Sequence, residues 1–202
     1  MTHRSLFASG LFALALALPV AASAQHGGRI DVPEVPGILT VEEGNVPFLQ
    51  TRAYGTQNYV CSYKPAPATG VAWKLFGPQA ALYTANAPMQ IATHFLSPNP
   101  EENGTPRATW MHSHDGSAVW AVAAQQAPSP VGSINWLLLR KVGTAEGPIG
   151  GSLLAQTTFI HRLNTEGGVA PATGCEDVSK LGATVLVPYS TDYIFYRADR
   201  KD

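Results

Sequence analysis

Two histidines one residue apart are the best-spaced metal-type feature of this chain. In His112-Ser113-His114 an extended backbone would send both imidazoles from one face, within reach of a single ion. His94, at the end of a neighbouring predicted strand, is the available third ligand. Against this, Asp115-Gly116 just beyond reads as a turn, and no acidic residue follows at metal-motif spacing, so neither metal nor cofactor is expected. His26 could chelate only as the amino terminus itself, and a cut before Gln25 argues against that.

The run His161-Arg162-Leu163-Asn164-Thr165 carries a different chemistry. In a strand, Arg162 and Asn164 share one face, and a cleft arginine beside an amide suits carboxylate or sugar-hydroxyl recognition. The alternative is a purely structural pairing of Arg162 with an acid such as Asp192, with Asn164 and Thr165 serving the Gly167-Gly168 turn. Trp73, Trp110, Trp120 and Trp136 could form a sugar-stacking platform, or could simply fill the core. Asp115, Glu166, Glu176, Asp177 and Asp192 fall mostly at turns. Opposed carboxylates of the glycosidase kind cannot be placed from their spacing. The serines near glycine (Ser117, Ser133, Ser152) lack a nucleophile elbow, and no phosphate loop or dinucleotide fingerprint is present. The candidate ligand-binding set is therefore His94, Trp110, Asp115, Arg162, Asn164 and Asp192.

Short strands must position these residues. With 19 glycines and 16 prolines punctuating apolar runs rich in Val, Thr, Tyr, Phe and Trp, the chain reads as all-β. Strands are predicted at 57–63, 71–76, 80–83, 89–95, 109–112, 118–123, 133–141, 155–164, 183–187 and 193–197. Residues 157–164 alternate cleanly, whereas 134–139 are nearly continuous in apolar residues, as in a strand buried on both sides. A short helix near 41–48 is possible, weakened by Gly44 and Pro47. The architecture implied is a β-sandwich or barrel-like fold of mainly antiparallel strands. Asn103-Gly104-Thr105 matches a glycosylation sequon but reads better as a turn.

Residues 1–24 combine a basic start (His3, Arg4), an apolar run over 6–20 and Ala22-Ser23-Ala24, the pattern of a cleaved secretory signal. The run is short for a membrane span, which needs roughly 20 residues. The expected product is secreted or periplasmic, with an arm over 25–50, one β-rich domain over 51–202 and no membrane span. Loss of Arg4 leaves 12 of the 13 Lys and Arg residues against 14 Asp and Glu. With that balance and no basic stripe, nucleic acid is not an expected partner. Charged residues are 13% of the chain, about half the usual share. The two cysteines, Cys61 and Cys175, most simply form one disulfide in an oxidising compartment, and their long loop makes it worth about 4–5 kcal/mol in the chain-entropy account.

The series Asn58-Tyr59-Val60-Cys61, Trp73-Lys74-Leu75-Phe76-Gly77-Pro78, Ala81-Leu82-Tyr83, His94-Phe95, Thr109-Trp110, Asp115-Gly116-Ser117 and Trp136-Leu137-Leu138-Leu139 resembles the domain of unknown function 3455 family. So do His161-Arg162-Leu163-Asn164-Thr165-x-Gly-Gly and Pro188-Tyr189-Ser190-Thr191-Asp192-Tyr193. The resemblance spans about residues 58–196 and implies an exported bacterial or fungal protein without an established activity. The family usually has Gln at His161 and Ala at Thr191, which argues against a catalytic His161, and its pattern does not include His112 and His114. A dehydrogenase label borne by some fungal relatives finds no dinucleotide fingerprint here. The function expected is binding of a small polar or saccharide ligand, or of an envelope surface. The alternatives are a hydrolytic or metal-assisted enzyme using the same residues, and a structural or stress-related envelope protein without a pocket. Convergence of Arg162, Asn164, Asp192 and His94 on one opening would favour the first two; scattering would favour the third.

Overall fold

The computed structural model describes residues 30–84 and 89–200. Residues 1–24, the expected signal, and His26 lie outside them. Eight strands follow in chain order: β1 (Asn45–Tyr63), β2 (Val71–Thr84), β3 (Gln90–Asn99), β4 (Thr105–His112), β5 (Ala118–Ala127), β6 (Trp136–Ala145), β7 (Thr157–Gly167) and β8 (Thr184–Ala198). Each pairs antiparallel with the next, and β8 returns to β1, closing a barrel. The barrel-like, antiparallel architecture expected from the sequence is the one found. Among the described residues no helix is long and apolar enough to cross a membrane.

Every strand contributes to one enclosed core: Ala53, Ala80, Leu82, Ala92, Trp110, Val119, Ala121, Leu139, Ile160, Tyr189, Tyr193 and Phe195. Eight strands enclose a space that side chains alone can fill. The alternation predicted for β7 holds at its start, where Ile160 faces this interior while Phe159 and Leu163 join an outer cluster with Leu39, Leu138, Ile194 and Tyr196. The N-terminal segment covers that outer cluster through Leu39, in a 3-10 turn at Gly37–Leu39. Buried His161 fastens it. Its Nε2–H donates to the Leu39 carbonyl (2.7 Å), and the Tyr196 hydroxyl donates to Nδ1 (3.0 Å).

Several predicted strands prove to be parts of longer ones. Residues 71–76 and 80–83 are both in β2, and 183–187 and 193–197 both belong to the stretch running into and along β8, so Gly77-Pro78 and Pro188 lie inside strands. β1 begins at Asn45, within the expected arm, and runs through Pro47, so 45–48 are strand and not helix. Its Gly55 marks a close approach. A Cβ there would lie 2.1 Å from the Gln79 carbonyl oxygen and 2.5 Å from Ala80 Cα, so only glycine fits without displacing β2. Asn103-Gly104 is the expected turn, with φ of 55° and 80°.

Cys61 and Cys175 form the expected disulfide, 114 residues apart in sequence with Cα atoms 5.5 Å apart. Packed with Val71, Trp73 and Ala183, it ties the segment between β7 and β8 to the end of β1.

Candidate functional site

The residues singled out from the sequence do not converge. His94 and Trp110 sit inside the barrel, Asp115 closes a loop, and Asn164 and Asp192 meet on the outer wall. Arg162 stands apart at one mouth.

His94 and Trp110 face each other across β3 and β4, with rings stacked at 4.1 Å and 11° and Tyr193 edge-on to both at 5.3 Å. Both are buried. His94 Nδ1 lies 2.8 Å from the Thr109 carbonyl, which can only accept, so Nδ1 carries the hydrogen and Nε2 the lone pair. Burial pushes the His94 pKa down to about 3, aided by the Arg162 charge and opposed by the Thr109 bond, so the ring is neutral at ordinary pH. Trp110 Nε1 is buried with no acceptor in the protein.

Asp115 is a structural knot. Its carboxylate accepts from Ser117 N–H (2.8 Å), Ser117 Oγ–H (2.6 Å) and Leu153 N–H (2.9 Å), which joins the β4–β5 turn to the segment before β7. Burial opposes its charge, but these donors outweigh burial and hold the carboxyl at about 2. His112 is spent on the same knot, with Nδ1 accepting Asp115 N–H and lying 3.0 Å from Oδ1. His112 and His114 have ring centroids 5.7 Å apart, but among the described residues no group of three His, Cys, Asp or Glu could hold a metal ion.

Arg162 and Asn164 do not share a face, contrary to simple alternation. The β7–β8 register shifts between Leu163 and Glu166, and Asn164 adopts φ 49°, so the strand bulges and turns Asn164 to the outside. There Asn164 Nδ2 donates to Asp192 Oδ2 (2.8 Å). The cation that binds this pair is Arg52, which sequence reasoning missed. It donates to Asp192 Oδ1 (3.2 Å), Ser190 Oγ (2.6 Å) and the Asn164 carbonyl (3.1 Å), and lies 3.5 Å from Glu166. Its signal was a lone charge in an otherwise uncharged stretch. Its partners became visible only once β1 was registered against β8.

Arg162 points instead into the barrel mouth. A cavity of about 330 Å³ is lined there by Gln57, Tyr59, Gln126, Ser133, Asn135 and Arg162, with Leu75, Ile134, Val169 and Ala170 as its apolar part. Nε and Nη2 both donate to the Asn135 carbonyl, at 3.1 and 2.7 Å, so one edge of the guanidinium is fixed by the loop before β6. That loop is itself pinned to β7, because the Thr165 hydroxyl donates to the Ile134 carbonyl (2.6 Å). Tyr59 donates to the Gly168 carbonyl (2.6 Å) and so holds the opposite rim. Burial raises the Tyr59, Tyr189 and Tyr193 phenols, and the Arg162 charge only partly offsets it, so all three are neutral hydroxyls. The ion pairs between Arg or Lys and a carboxylate among the described residues join Arg52 to Glu166 and Asp192, and Arg107 to Glu102. Arg162 has none. A half-buried cation with one edge anchored and no carboxylate partner can receive an anion end-on.

Of the tryptophans, Trp73 donates to the Thr173 carbonyl (3.0 Å) beside the disulfide, and Trp120 to Ser97 Oγ (2.9 Å). With Trp110 they form no shared platform; Trp136 lines a cavity on the outer wall.

The model of one family, described as "Protein of unknown function (DUF3455)", matches residues 42–197, which takes in all eight strands except the last residue of β8. No curated protein and no solved structure matches the chain.

Proposed function

The chain belongs to the DUF3455 family, and from that premise we propose that it is an exported barrel whose mouth binds a small carboxylate at Arg162. The observation that carries this reading is the guanidinium itself. It is held on one edge by the Asn135 carbonyl, ringed by neutral hydroxyls and amides, and left without a protein counter-ion. Charges withdrawn from water without a partner are costly, and an arriving carboxylate would remove that cost. The amides of Gln57 and Gln126 and the Tyr59 rim would then bond the rest of a small polar ligand. Export is supported by the signal-like residues 1–24 and is compatible with the disulfide.

A ligand that prefers the folded state must raise its stability, by about 2.7 kcal/mol at a hundred times Kd. For a chain of this size that is roughly 5–10 °C in Tm. Thermal melts with lactate and succinate, set against lactamide and succinamide, should show the rise for the acids only, and Arg162→Gln should abolish it. Equal responses in wild type and Arg162→Gln, or none to any acid, would end the proposal.

A second reading, a structural envelope protein without a working pocket, draws on the internal satisfaction of His94 and Asp115 and on the scattering of the expected set. It requires that no small ligand shift Tm at all.

A further inference from the structure

We infer that a second cavity, on the outer wall between the β5–β6 loop and the β7 bulge, is a binding site for the ring of a neutral saccharide. It encloses about 360 Å³ and is lined by Ser129, Pro130, Val131, Trp136, Asn164, Thr165 and Glu166. One side is apolar and open. Trp136 is partly buried against the outer cluster, and Val131 is 72% exposed beside Pro130. The other side carries an amide, a carboxylate and hydroxyls. A sugar ring has the same division, with a C–H face for an aromatic wall and hydroxyls at its edge for directional polar groups.

Two further observations point to a ligand here. Asn164 holds φ 49° at the cavity edge, a left-handed conformation uncommon outside glycine and concentrated at binding sites. Arg52 holds the bulge in place from the far side, through the Asn164 carbonyl and Asp192, and thereby positions Asn164 and Glu166 without lining the cavity.

Electrostatics sets the class of ligand. Arg52 is the cation of this cluster, against the carboxylates of Asp192 and Glu166, so the site opposes anions and suits a neutral polyhydroxylated ring. The mouth has the opposite sign. Both cavities border the loop 128–135, held between them by the Ser133 hydroxyl donating to the Thr165 carbonyl (2.5 Å), yet the lining residues differ throughout. This site therefore stands or falls independently of the carboxylate reading.

The test is a ¹H–¹⁵N NMR titration of the full chain with methyl glucoside, methyl galactoside and methyl N-acetylglucosaminide, following the Trp136 indole and the Asn164 side-chain amide. At least one glycoside should give saturable shifts, with lactate giving none at these signals. Asn164→Gly accepts the backbone angle and Glu166→Gln is exposed, so both variants keep the fold while weakening binding about tenfold. Arg162→Gln should bind glycosides like wild type. The inference is overturned by no saturable shift up to about 100 mM glycoside, by wild-type affinity in both variants, or by loss of binding in Arg162→Gln alone.

Discussion

Acid should destabilise this barrel well before its carboxylates protonate, and His94 is the cause to isolate. Its ring is buried between Trp110 and Tyr193, and its pKa falls from 6.5 to about 3. The folded-state value lies below the unfolded one. Between those pH values the unfolded chain binds a proton that the folded chain refuses. The stabilisation is thus fully present above pH 6.5 and is lost as pH falls towards 3. Each pH unit inside that window costs about 1.4 kcal/mol, so lowering the pH from 7.5 to 5 removes about 2 kcal/mol through this residue alone. The assay is urea unfolding across that range for wild type and His94→Gln, which keeps a donor for the Thr109 carbonyl but cannot titrate. The variant need not match wild type at pH 7.5; only the difference between the two slopes matters. His161, also lowered by burial, acts in the same direction but is common to both proteins and cancels. Asp115 acts between pH 3.8 and about 2, below the pH range of the assay. Parallel stability profiles would refute the reasoning, as would an NMR titration placing His94 near 6.5.

Asp115→Asn should cost about 2 kcal/mol at pH 7, and the difference from wild type should vanish as pH falls from 3.8 towards 2, because the depressed carboxyl stabilises the fold only while ionised; chemical denaturation at pH 7 and pH 2.5 checks both halves. Gly55→Ala places a methyl against the β2 backbone and should destabilise by about 2–3 kcal/mol, far more than Gly132→Ala, whose Cβ would meet nothing within 4 Å, although its φ of 71° adds its own smaller strain; the comparison of Tm values decides it. Replacing Cys61 and Cys175 together by serine should lower stability by about 4–5 kcal/mol, since the crosslink spans 114 residues; urea midpoints of variant and wild type measure it.

The sequence made the class of fold and the crosslink legible, because alternation and a pair of cysteines behind a signal-like start are local signals. It misread strand length for a physical reason. Glycine and proline usually end strands, but in a small barrel they also sit inside long ones, as Gly55, Gly77-Pro78 and Pro188 do. The same limit scattered the expected site. Arg162 and Asn164 obey a two-residue period only as far as Leu163, and the bulge beyond it is a property of pairing with β8, not of the segment. Arg52 was invisible for the complementary reason: its partners Asp192 and Ser190 lie at the other end of the chain and meet it only through closure.

Closure has a kinetic side. Residues Asn45 and Ala198 are register partners, so the last hydrogen bonds of the barrel join the beginning of the sheet to its end. During vectorial synthesis or translocation, β1 and β7 remain open edges until β8 emerges, and open edges recruit other chains. Sequence separations of this size make the closing step slow, because loop entropy is lost before the contacts return it. Cys175 precedes β8, so the disulfide can form first and hold the rest of the sheet near Cys61 while the final strand finds its place.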